Sequence, residues 1–169
     1  MYPVSGPSLC VLVLDPKATR PGPGNGTAIL VPPQGYSVVS DIDDVLRITK
    51  VYVPNEGLKN SFVEPYVNVP GMPELFAHWL KNLPNASFHY DTTTPVQLTR
   101  TYVDYLFSNY PLGSLEMRPI NLTDPSQILD ARQNSLLKLF ETFPERKFGA
   151  CPFYLVSMPF SPNLNAFAI

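Results

Sequence analysis

The sequence predicts an α/β fold built on a mostly parallel sheet, and three observations carry that expectation. Short runs rich in Val, Tyr and Phe alternate with stretches whose apolar residues recur at helical spacing. Turn and helix-start signals separate them, among them "PPQG", Thr94-Pro95-Val96-Gln97 and Asp124-Pro125. The chain is also long enough, at 169 residues, for a single domain with a substantial core. Strands that alternate with helices pair in parallel, because each crossover returns the chain to the same end of the sheet.

The elements follow in order. Residues 1–28 are rich in Pro and Gly ("TRPGPGNGT") and read as an irregular arm. "AILVPPQG" can hold a short strand, and "YSVVSDID" is expected to be a buried strand with carboxylates at its C-terminal end. Residues 46–70 are turn-rich and too long for a tight connection, which suggests an extended flap. From Pro73, the spacing of Leu75, Phe76, Trp79, Leu80 and Leu83 predicts a helix. "ASFHYDTTT" is the second core strand. Thr94, Pro95 and Gln97 then supply an N-cap hydroxyl, Pro at N1 and Gln at N3 for a helix through "VQLTRTYVDYLFSNY". "GSLEMRPI" is a third strand, Asp124 opens a further helix reaching about Phe143, and "RKFGACPFYLV" supplies a fourth strand.

Composition narrows the function. A net charge of -2 gives no electrostatic basis for nucleic-acid binding, and no basic run marks an anionic membrane surface. Cys10 and Cys151 match no metal-ligand spacing. No apolar run approaches the roughly 20 residues of a membrane span, and "CVLVL" is too short for the core of a secretory signal. Compartment is left open, although N-x-[ST] sequons at Asn25, Asn85 and Asn121 tilt toward a secreted origin.

Chemistry concentrates at two strand ends. Asp41 and Asp43 are two residues apart, so on a continuing strand both face one side. Converging carboxylates are costly unless a cation neutralises them or one holds a proton. A solvated acidic turn is the bland alternative. An EF-hand calcium loop is excluded, because Leu46 and Tyr52 stand where Gly and Glu are needed. "YDTTTP", at the next strand end, offers hydroxyls and backbone N–H groups before a helix, which suits a phosphate. Ligands of such sheets bind beyond the carboxyl ends of the strands. Together the two ends suggest magnesium-assisted phosphoryl transfer to a carboxylate nucleophile.

"DIDDV" fits the D-x-D-x-[TV] signature of the haloacid dehalogenase (HAD) superfamily. In their order, "GYSVVSDIDDVLRIT", "NSFVEPYVNVPGMPELF", "FHYDTTTPVQLTR" and "FETFPERKF" resemble the catalytic domain of the actin-patch phosphatidate phosphatase family in its filamentous-fungal form, over about residues 34–148. The resemblance implies a HAD-like Rossmannoid three-layer sandwich spanning residues 29–148. It implies Asp41 as nucleophile, Asp43 as general acid and base, and Mg²⁺ held by the Asp41 carboxylate and the Asp43 carbonyl. Thr92 would bind the phosphoryl oxygens, and Arg132, with Lys138 as the competing candidate, would supply the cation. The substrate implied is phosphatidate or another phosphomonoester, with contact to a membrane surface.

The likeness breaks after Phe148. Residues 149–169, "GACPFYLVSMPFSPNLNAFAI", hold no Asp, Glu, Lys, Arg or His, so the acids that complete the family's metal site cannot come from this atypical tail. The expected sheet is accordingly incomplete at its C-terminal end, as in a truncated chain. Two other readings of the same fold follow: a non-catalytic remnant, and a secreted glycosylated binding domain.

Overall fold

The computed structural model describes residues 9–12, 26–94, 96–119 and 136–150. Strands β1 (Leu9–Leu12) and β2 (Gly26–Ile29) pair antiparallel as a two-stranded ribbon. The expected irregular arm therefore carries one regular strand in "LCVL", an apolar segment short enough to pair with the strand anticipated in "AILV".

The main sheet has four strands in the order β5-β4-β3-β6, and every pair is parallel. These are β3 (Tyr36–Asp41), β4 (Ser87–Thr94), β5 (Ser114–Pro119) and β6 (Lys147–Ala150). Parallel strands need cover on both faces, and alternate residues of β3 provide for it. Val38 packs with Phe88 and Tyr90 against helices α2 (Met72–Asn82) and α3 (Thr99–Asn109), through Phe76, Trp79, Tyr102 and Leu106. Val39 packs on the opposite face with Leu136, Leu139, Phe140, Phe143 and Phe148, around the helix at 136–142, here α4. The result is the expected three-layer Rossmann-like sandwich. The first part of the helix anticipated from Asp124, and the tail from 151, lie outside the described residues.

Two elements differ from expectation. Residues 46–70 are not wholly extended, since α1 (Pro54–Phe62) forms within them with Pro54 in the first turn and Lys59 in the last. The Thr94 cap does not form. β4 continues to Thr94, and a short 3₁₀ turn at Val96–Leu98 leads into α3, whose N-terminus has no side-chain cap. Pairing with Pro119 of β5 keeps Thr94 in the ladder, and that competes with the capping conformation.

The N-terminal ends of the strands are clamped by Arg146. Its guanidinium donates to the carbonyls of Pro32, Tyr36 and Asn85, each at 2.6 Å, and to Ser37 Oγ at 2.7 Å. Ser87 Oγ accepts a further bond at 3.0 Å. Gly35, at φ 142, passes so close that a Cβ would lie 2.7 Å from Asn85, so the turn into β3 requires glycine. With that end tied down, the opposite ends of β3 and β4 are fixed in register, Asp41 opposite Asp91.

Candidate functional site

β3 ends at Asp41, 7% exposed. Its Oδ1 accepts the backbone N–H of Ile42 at 2.7 Å, and Ser40 Oγ donates to its carbonyl at 2.8 Å. A chain turn follows, because Ile42 accepts from the amides of Leu46 and Arg47 and is itself completely buried. That turn swings Asp43 under the end of β4.

Asp43 is the most heavily engaged side chain of the site. Its Oδ1 accepts from Thr49 Oγ1 at 2.6 Å, and its Oδ2 accepts from Thr92 Oγ1 at 3.0 Å. The Tyr102 hydroxyl reaches both oxygens, at 2.9 and 3.0 Å. The Arg47 guanidinium adds an ion pair at 3.3 Å. Burial, with the Asp43 charge as a second cause, raises the Tyr102 pKa well above its ordinary value, so the phenol acts as a donor throughout the physiological range.

Asp44 explains why a third acid stands in the cluster. It adopts φ 58, a left-handed conformation that Asp tolerates. From there its carboxylate accepts the backbone N–H groups of Thr49 (2.8 Å), Lys50 (2.6 Å) and Val51 (2.9 Å). It shapes the loop that returns Thr49 to Asp43.

Arg47, completely buried, is the residue sequence reasoning missed. Its Nε donates to Thr49 Oγ1 at 2.7 Å, and its Nη2 donates to Asn60 O and Ser61 Oγ of α1, both at 3.2 Å. Its guanidinium carbon lies 3.6 Å from the centroid of the Tyr66 ring and 5.0 Å from that of Tyr102. The side chain thus joins the second acid to the flap helix. Tyr66, from the flap segment, turns inward onto this arginine because the cation–π stack and edge contacts with Tyr102 and Tyr105 hold it there.

The structure thus brings Asp43 and Thr92 into direct contact and places Asp41 at the adjoining strand end. Arg132 lies outside the described residues. Lys138 is exposed on α4. His89 is a strand residue with a satisfied ring, bonded to Ser114 Oγ at 2.7 Å and Ser87 Oγ at 3.2 Å. Tyr102 and Tyr105 are core residues, whereas Tyr52 and Phe62 are exposed. A cavity of about 910 Å³ lies along edge strand β5 beside Phe88, Phe107, Leu112 and Leu139. It touches none of Asp41, Asp43 or Thr92. The chemistry is at the strand ends.

Oxygen donors at a strand end suit a hard divalent cation such as Mg²⁺, which takes one or two carboxylates and retains waters. Among the described residues, no group of three or more His, Cys, Asp or Glu is placed to hold a metal.

Comparison with known proteins gives the chain a family. Residues 36–150 match the family described as phosphatidate phosphatase APP1, catalytic domain. Phosphatidate phosphatase APP1 of Saccharomyces cerevisiae is 25% identical over 125 residues, which cover 70% of this chain. The aligned part is 21% of that relative, so the chain spans about a fifth of its length. The family match begins at the first residue of β3 and ends at the last residue of β6.

Proposed function

This chain belongs to the family of the phosphatidate phosphatase APP1 catalytic domain, and we propose that it is a Mg²⁺-dependent phosphohydrolase acting on phosphatidate or a related phosphomonoester. One observation carries the reading: Asp43, second acid of the D-x-D pair, is hydrogen-bonded to Thr92 across two adjacent parallel strand ends, with Asp41 buried beside them. A nucleophile, an acid–base group and a phosphoryl-binding hydroxyl need this proximity to serve one phosphorus atom.

In the proposed mechanism the Asp41 carboxylate attacks phosphorus and forms an aspartyl-phosphate, while the bond to the leaving alkoxide breaks. Asp43 in its protonated form gives that alkoxide a proton. It then takes a proton from the water that hydrolyses the acyl phosphate. Thr92 donates to a phosphoryl oxygen. Mg²⁺, held by the Asp41 carboxylate and the Asp43 carbonyl, would offset phosphoryl charge. Arg132 is the proposed second cation.

The test is release of phosphate from p-nitrophenyl phosphate with Mg²⁺, comparing the chain with Asp41→Asn. Turnover abolished by that substitution is expected. A second reading, a non-catalytic fold that binds phosphate weakly, is favoured because among the described residues no group of three or more His, Cys, Asp or Glu is placed to hold a metal. Phosphate binding without Asp41-dependent turnover would select it.

A further inference from the structure

Helix α1 is seated inside out. Its inward side is polar and small: Asn60 Nδ2 donates to Thr49 O at 3.0 Å, and Asn60 O and Ser61 Oγ accept from Arg47. Gly57 packs so closely that a Cβ would lie 3.3 Å from Lys50 O and Val51 Cα. The outward side carries Leu58 and Phe62, four residues apart on one face and 61% and 52% exposed. Tyr52 and Val63, on the flanking segments, are 76% and 75% exposed. Val51 and Val67, on the same segment, are also exposed, at 58% and 54%. Scattered exposed apolar residues are ordinary, but a concentration of them on one segment suits a contact surface.

We propose that this flap is the bilayer-contacting element of the domain, dipping Tyr52, Leu58, Phe62 and Val63 below the headgroups beside the site. The inference rests on the lipid-substrate reading above. Two features favour a bilayer over a protein partner. The charges within residues 48–67 are Lys50, Glu56, Lys59 and Glu64, and they form two internal ion pairs, Lys50–Glu56 and Lys59–Glu64. The surface is therefore electrically balanced and complements an uncharged hydrocarbon boundary, with no excess cation to seek anionic headgroups. The flap is also continuous with the site, since Asp44 holds the amides of residues 49–51 and Arg47 joins α1 to Asp43. A lipid phosphate at the headgroup level then meets Asp41 without leaving the membrane. Among the described residues no helix is long and apolar enough to cross a membrane, so the contact is interfacial.

The test is flotation of the full chain with phosphatidylcholine vesicles, with and without added phosphatidate, at low and high salt. We expect binding to neutral vesicles that high salt does not weaken. Phe62→Ser and Leu58→Ser are each expected to lower partitioning about tenfold, and the triple variant with Tyr52→Ser by about a hundredfold or more. Leu80→Ser, an exposed apolar position on α2, serves as control and should bind normally. Failure to bind any vesicle, binding unchanged in the triple variant, or binding that needs anionic lipid and low salt would each overturn the proposal. So would a dimer that the triple variant dissociates, because the flap would then face a second copy. p-Nitrophenyl phosphate needs no bilayer, so turnover by the triple variant separates the two claims. Absence of Asp41-dependent turnover sinks the phosphatase reading, whereas unaltered flotation sinks only the flap.

Discussion

Arg146→Met isolates a stability contribution that can be worked from contacts. The guanidinium is 3% exposed, and burial holds its pKa below the ordinary value. The contacts that hold it are three carbonyls at 2.6 Å, the Gln34 carbonyl at 3.3 Å and two serine hydroxyls. Methionine fills most of the volume but donates nothing, leaving the carbonyls of Pro32, Tyr36 and Asn85 without that donor. A hydrogen bond from a charged donor contributes about 1.5–3 kcal/mol, and desolvation of the ion offsets part of the sum. Disrupting a buried charged network by removing one partner costs about 3–5 kcal/mol, which we take as the expected loss. At a urea slope of about 2 kcal/mol/M, the unfolding midpoint should fall by about 2 M. Arg146→Lys keeps the charge but cannot reach all six acceptors, so its midpoint should lie between the two. Arg100→Met removes an exposed pair with Asp104 and is the control, expected within about 0.5 kcal/mol of the parent. A midpoint for Arg146→Met equal to that of Arg100→Met would refute the clamp.

Two further outcomes follow from the site and the polar ladder beside it. Arg47→Met should release Asp43 from its ion pair and impair proton donation. We expect alkyl phosphate turnover to fall about a hundredfold or more and p-nitrophenyl phosphate, whose leaving group needs little acid help, by only a few-fold; equal losses on both substrates would show a merely structural role. His89 has its pKa lowered to about 4, by burial first and then by the Arg146 charge, and its ring faces Ser37, Ser87, Ser114 and Phe143. Because the folded value lies below the ordinary 6.5, the unfolded chain binds the extra proton, and stability falls as pH drops from 6.5 toward 4. The loss at pH 5 is about 2 kcal/mol, and His89→Gln should flatten this part of the urea-midpoint profile; an unchanged slope would contradict it.

The parallel sheet was legible because its strands are apolar runs set off by turns, and Asp41, Asp43 and Thr92 were legible because they end those runs. Arg47 was not. A lone arginine in a turn-rich segment reads as solvated, and only folding brings Tyr66 and Tyr102 against it. Tyr102 is a core residue, but its hydroxyl meets a carboxylate 59 positions away. Arg146 meets Ser37 across 109 positions, so no local pattern could announce it. Helix α1 was illegible for the opposite reason. Its apolar residues face outward, so the spacing that normally marks a buried stripe marks an exposed one.

The bonding of Thr92 constrains the order of events in the proposed reaction. A threonine hydroxyl has one proton to donate, and here it goes to Asp43 Oδ2. If the same hydroxyl is to donate to a phosphoryl oxygen, the bond to Asp43 must break as the substrate enters. Asp43 does not then drift, because Thr49, Tyr102 and Arg47 still hold it. What changes is that Oδ2 loses one donor and becomes freer to carry the proton destined for the leaving group. On the proposed mechanism, substrate entry and exposure of the acid would be one exchange, with the acid masked whenever the phosphoryl position is empty. Thr92→Val would uncouple them: phosphate binding should weaken, while Asp43 retains the partners that position it.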